Sequence, residues 1–101
     1  MSKQQCVILV AHGSTRASWR TPLEALRDDL ASRMPESVVR LCYLELCEPL
    51  LQPTLESVAQ SDYGSVALLP LFMSSGGHVL RDLLPLVKAY EGHSGAPPIS
   101  V

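Results

Sequence analysis

The sequence predicts an α/β fold: a mostly parallel, four-stranded sheet with helices on both faces, three layers in all. Three observations predict it. Strand-like and helix-like segments alternate as βαβαβαβ along the 101 residues. The strand segments are apolar almost throughout, as in strands covered on both faces, instead of alternating with polar residues. The connections between them are too long for hairpins, which calls for helical crossovers between parallel strands.

The run Cys6-Val7-Ile8-Leu9-Val10-Ala11 makes the first strand and stops at His12-Gly13-Ser14. Thr21-Pro22-Leu23-Glu24 reads as the start of the first helix: Thr21 caps, Pro22 takes the first helical position, and Glu24 completes a capping box. Leu23, Leu26, Leu30 and Met34 share one stripe, and Pro35 marks the stop. Val38 to Leu44 is the second strand, interrupted only by Arg40. Leu50, Leu51, Leu55, Val58 and Ala59 form the next helical face, with Pro53 in the first turn because a deeper proline costs about 3 kcal/mol. Ser65 to Phe72 is the third strand, and Pro70 near its end forgoes a ladder donor cheaply. After Ser74-Ser75-Gly76-Gly77-His78, a third helix carries Val79, Leu80, Leu83, Leu84 and Val87, bent or restarted at Pro85. Gly92 to Pro98 is loop, and Ile99-Ser100-Val101 opens a fourth strand. By analogy with one half of a flavodoxin-like sheet, the expected strand order is 2-1-3-4.

Composition narrows the function. Residues 1–101 suit one domain, with 47% hydrophobic and 18% charged residues. The sequence stops in a strand with no helix after it, so either the natural chain continues beyond Val101 or a partner covers that strand. A net charge of -2 with scattered basic residues speaks against a nucleic-acid surface. The apolar run Val66 to Met73 is broken by Pro70 and falls far short of the roughly 20 residues of a membrane span. The start has neither a signal-peptide pattern nor an anchor. Cys6, Cys42 and Cys47 make no CxxC or other metal-ligand spacing, and an odd count is a poor disulfide framework. The expected compartment is the cytoplasm.

Ligands of such sheets bind beyond the carboxyl ends of the strands, where strand order reverses. His12, Glu45 and His78 follow strands 1, 2 and 3 and converge on that rim. Two imidazoles and a carboxylate there suit a divalent metal or proton transfer near neutral pH. Taken singly, each histidine also reads as a loop or capping residue, and Glu45 and Glu48 also suit the N-terminus of the following helix. His93 lies in a polar loop and reads as solvated. Gly13-Ser14-Thr15-Arg16 and Ser74-Ser75-Gly76-Gly77 offer N–H groups and hydroxyls to an anion, or serve as ordinary turns. Neither matches a nucleotide-binding fingerprint. Arg16, Arg20 and Arg81 add positive charge near the same rim.

The ordered set Val7-Ile8-Leu9-Val10-Ala11-His12-Gly13-Ser14, Leu44-Glu45-Leu46-Cys47-Glu48-Pro49, Leu69-Pro70-Leu71-Phe72 and Gly76-Gly77-His78 resembles the small sirohydrochlorin chelatases of the CbiX type. The resemblance implies the class II chelatase fold and a homodimer in which two half-sized domains face each other. It implies insertion of a divalent metal, Co2+ or else Fe2+ or Ni2+, into sirohydrochlorin for cobalamin or sirohaem synthesis, without a nucleotide. His12 and His78 then correspond to the metal-site histidines and share metal delivery and proton removal, while Glu45 is an orienter or relay. Gly13, Ser14, Arg16, Ser74, Ser75, Gly76 and Gly77 would hold substrate carboxylates. Relatives often carry a basic residue just before the second histidine, where this chain has Gly77. That departure keeps a second reading open, a non-catalytic metal or tetrapyrrole carrier. Phosphoryl transfer through His12 ranks lower, because the local motif lacks paired arginines for a phosphate.

Overall fold

The computed structural model describes residues 3–71 and 78–101, with the backbone alone for 78–82. Its elements are β1 (Gln5–Ala11), α1 (Ala17–Arg33), β2 (Val38–Tyr43), α2 (Leu51–Ala59), β3 (Ser65–Pro70), α3 (His78–Glu91) and β4 (Ile99–Ser100). They form one sheet in the order β2-β1-β3-β4, with every pairing parallel. The expected fold class and strand order both hold, and the reversal of order falls between β1 and β3.

The apolar strands are explained by a core on each side. Cys6, Ile8 and Val10 of β1 face Leu51, Leu55 and Val58 of α2 and Leu83, Val87 and Tyr90 of α3. Val7, Leu9 and Ala11 face the other way, with Val39, Leu41 and Tyr43 of β2, toward Leu23, Leu30, Ala31 and Met34 of α1. Each fully buried aliphatic side chain contributes about 1.5–3 kcal/mol relative to exposure. Pro53 lies in the first turn of α2, as expected. The loop after α3 is tied down by the Tyr90 hydroxyl, which donates to the Pro97 carbonyl at 2.7 Å.

Three local expectations change. The first helix starts at Ala17, not at Thr21. The Ser14 hydroxyl oxygen accepts the Arg16 N–H, and the Trp19 N–H donates to the Arg16 carbonyl, so the chain is already turning helically there. Thr21 does not cap; its hydroxyl donates back to the Ala17 carbonyl at 3.0 Å, and Pro22 lies inside the helix. Leu26 stands at the edge of the apolar stripe with 39% of its surface exposed, and Ala31 packs instead. Finally, α3 runs through Pro85 as a single helix, so it does not restart there. Among the described residues no helix is long and apolar enough to cross a membrane.

Candidate functional site

The rim above β1 and β2 is built by continuing their ladder past the strand ends. Ala11 lies beside Tyr43 in the parallel register. The Leu44 N–H then donates to the Ala11 carbonyl at 3.0 Å, and the Glu45 N–H to the His12 carbonyl at 3.1 Å. Side chains 33 positions apart thereby become neighbours, with His12 Nε2 2.9 Å from Glu45 Oε1. Gly13 permits the approach. Its φ is +112°, and a Cβ there would collide with the Glu45 carbonyl oxygen.

The His12–Glu45 pair is exposed, at 63% and 58% of the two side chains. An exposed pair contributes about 0–1 kcal/mol, so stability does not account for it. Its chemistry does. With Nε2–H donating to Glu45, the neutral imidazole presents Nδ1 as a base or ligand. Alternatively Nε2 and Oε1 bind one cation together: with metal bonds of roughly 2.1 Å, a 2.9 Å separation subtends about 90°, the angle of adjacent octahedral positions.

His12 lines two hollows, one on each side of the sheet. On the α2–α3 side it meets Leu44, Glu45 and Leu86. On the α1 side is a pocket of about 470 Å³, walled by Trp19, Pro22, Leu23, Tyr43 and Leu71, with His12, Gly13, Ser14 and Arg20 also lining it. That size falls in the range of small-molecule sites. Tyr43 is 2% exposed, and burial pushes its phenol up from its ordinary value, keeping it a neutral donor. Among the described residues neither the Tyr43 hydroxyl nor Arg20 Nε, both buried, has a hydrogen-bond partner.

Of the residues singled out from sequence, His12 and Glu45 meet directly, and Gly13 and Ser14 line the pocket beside them. The Ser14 oxygen also holds the turn into α1. Arg16 is the exposed N-cap of α1 and does not line the pocket; Arg20, one turn on, does. His78 is the first residue of α3, but its side chain lies outside the described residues, as do Arg81's side chain and Ser74, Ser75, Gly76 and Gly77. Among the described residues no group of three His, Cys, Asp or Glu side chains could hold a metal ion. Cys6 and Cys42 are buried and their thiols pushed up by that burial, Cys42 to about 12, so they are inert core groups. Trp19 and Tyr43 are the pocket residues that sequence reasoning passes over. The available signal was a tyrosine ending an apolar strand, since a buried phenol needs a polar partner at its tip.

Comparison with known proteins places this geometry in a family. The CbiX family model matches residues 6–98. A sirohydrochlorin cobaltochelatase of Methanopyrus kandleri is 30% identical over 77 residues, 76% of this chain and 54% of that protein. One from Methanosarcina acetivorans is 25% identical over 95 residues, covering 94% and 73%. The chain thus spans about half the length of the first relative and nearly three quarters of the second. Among solved structures, the sirohydrochlorin chelatase SirB from Bacillus subtilis subspecies spizizenii, in complex with cobalt, superposes with a TM-score of 0.80 at 21% identity, over 96% of this chain and 42% of that one. A CbiX protein of cobalamin biosynthesis from Marinobacter aquaeolei VT8 gives 0.74 at 24%, over 96% and 80%. These two likenesses show the shared fold. The family match spans β1 through the loop before β4 and includes the rim that brings His12 to Glu45, and on it the chain belongs to the CbiX family.

Proposed function

We propose that the protein inserts a divalent metal into sirohydrochlorin, with cobalt as the first candidate and iron or nickel as the others. The observation that carries this is the exposed His12–Glu45 pair at 2.9 Å, set on the rim beside an apolar pocket. Family membership and relatives named sirohydrochlorin cobaltochelatase support the same substrate. The reaction exchanges M2+ for the two pyrrole N–H protons, so the site must hold a cation and accept protons. His12 serves either purpose, and Glu45 orients it or takes the adjacent ligand position. His78, which begins α3, completes the set. Gly13, Ser14, Arg16 and the segment from Ser74 to Gly77 contribute to substrate binding, and no nucleotide takes part.

A single small sheet offers one wall of a cleft, and the chain covers 42% of the Bacillus chelatase. A symmetric homodimer in the cytoplasm supplies the second wall. The test follows cobalt insertion into sirohydrochlorin by absorbance over many turnovers. His12→Ala and His78→Ala should each lower the rate by about 10²–10⁴-fold, the range for losing a general base, with Glu45→Gln less severe. Losses under tenfold for both histidines would overturn the assignment. Stoichiometric binding of metal and tetrapyrrole without turnover would instead establish the carrier reading, which Gly77 favours by standing where relatives often have a basic residue.

A further inference from the structure

The pocket under the start of α1 carries an unmet demand. Tyr43 is 98% removed from solvent and forms part of a largely apolar wall, and its hydroxyl has no hydrogen-bond partner among the described residues. Arg20 lines the same pocket, and its buried Nε likewise lacks a partner among the described residues. Buried polar groups are normally paired, and an orphan lowers the stability of the free protein. Arg20 Nε can only donate, and the phenol readily does, so the missing partner is an acceptor. The Arg20 charge, which acts on Tyr43, makes an anion the best match, and a carboxylate offers two acceptor oxygens for the two donors.

Position narrows the ligand further. The pocket shares His12 with the rim, and Trp19 at its edge is 67% exposed, offering a flat aromatic face. We infer that Tyr43 and Arg20 bind a carboxylate arm of the tetrapyrrole, so that the macrocycle edge lies against Trp19 and its centre is drawn over the His12–Glu45 pair. This rests on the reading of sirohydrochlorin as substrate, whose acetate and propionate arms are the acceptors. Tyr43 and Arg20 are in this role positioning and specificity residues; neither takes part in proton removal.

The experiment measures sirohydrochlorin binding by quenching of Trp19, the single tryptophan, for the free acid and for its methyl ester. The full chain is compared with Tyr43→Phe, Arg20→Met and Arg20→Lys. A hydrogen bond to a charged group is worth about tenfold or more in affinity. Tyr43→Phe and Arg20→Met should each weaken the free acid about tenfold and cut the acid-over-ester preference by the same factor. Arg20→Lys should recover part of it, and in turnover the loss should fall on KM more than on kcat. Tyr43→Phe should also melt at an unchanged or higher temperature, since it removes an orphaned group; a purely structural hydroxyl would lower it. An unchanged acid-over-ester preference in both Tyr43→Phe and Arg20→Met overturns the inference while leaving the substrate reading intact. A wild-type protein that binds neither acid nor ester overturns both. A shifted monomer–dimer equilibrium with the preference intact also overturns it, and assigns the pocket to a second copy of the chain.

Discussion

Gly13 shows how much of the site depends on one missing side chain. Its φ of +112° is costly for any residue with a Cβ, and the Glu45 carbonyl occupies the place where that Cβ would be. Gly13→Ala must therefore either strain the turn or push the Glu45 segment away from β1. The expected cost is at least about 1–3 kcal/mol, read as a lower denaturation midpoint at unchanged slope. Because the shift acts on the backbone carrying Glu45, cobalt insertion should fall further than stability alone explains. Leu46, the residue after Glu45, has φ +74°, an uncommon value for a bulky residue. Leu46→Gly should relieve that strain and raise stability only where the added chain entropy of glycine does not cancel it, so Gly13 is the sharper probe.

At the scale of elements, α1 differs from the other helices. No residue of α1 is buried, whereas α2 buries Leu51, Thr54, Leu55, Val58 and Ala59 against the sheet. Pro22 adds to the difference. It lacks the N–H that would reach the Ser18 carbonyl, and an interior proline costs up to about 3 kcal/mol against alanine. Ser18 is exposed, so water can satisfy that carbonyl. Pro22→Ala should therefore stabilise the protein by about 1–2 kcal/mol after the lost restriction of the unfolded chain is counted, measured by urea denaturation. The same change removes part of the pocket wall between Trp19 and Leu23, so tetrapyrrole affinity should fall as stability rises. A helix start set by a turn from the preceding strand was not legible in the capping signals at Thr21, because those signals are local and the turn is not.

For the molecule as a whole, burial of titratable groups sets an alkaline limit. Burial pushes the Cys42 thiol from 9.0 to about 12 and raises Cys6, Tyr43, Tyr63 and Tyr90 as well. Each holds its proton more tightly folded than unfolded. Their contribution is fully present below the unfolded values and is lost as pH rises through them toward the folded ones. For Cys42 the window is pH 9 to about 12. Urea midpoints should be flat with respect to these groups from pH 7 to 8.5 and fall above pH 9, at about 1.4 kcal/mol per pH unit for each proton released. Thiol titration should find Cys47, which is half-buried, reactive in the native protein before Cys6 and Cys42. Association belongs at this scale too: sedimentation of the active protein should give a dimer, and a catalytically competent monomer would remove the two-walled cleft.

The sequence by itself determined the layers and the parallel crossovers, while the strand order, and with it the rim, came by analogy with a flavodoxin-like half and holds in the structure. Continuous apolar strands such as Cys6–Ala11 can be stable only when both faces are covered, and long amphipathic connections admit only parallel crossovers. With that order the residues after β1 and β2 fall on one edge, so His12 and Glu45 were legible on one rim. Only the tertiary structure decided their contact at 2.9 Å, because it depends on the ladder continuing for one more pair and on Glu45's backbone passing where Gly13 has no side chain. Only the tertiary structure, likewise, left the Tyr43 hydroxyl and Arg20 Nε without partners among the described residues, in a pocket that His12 also lines. Periodicity reports which face a side chain is on; whether a polar atom on that face finds a partner depends on distances among residues far apart in the chain, and those are set by packing.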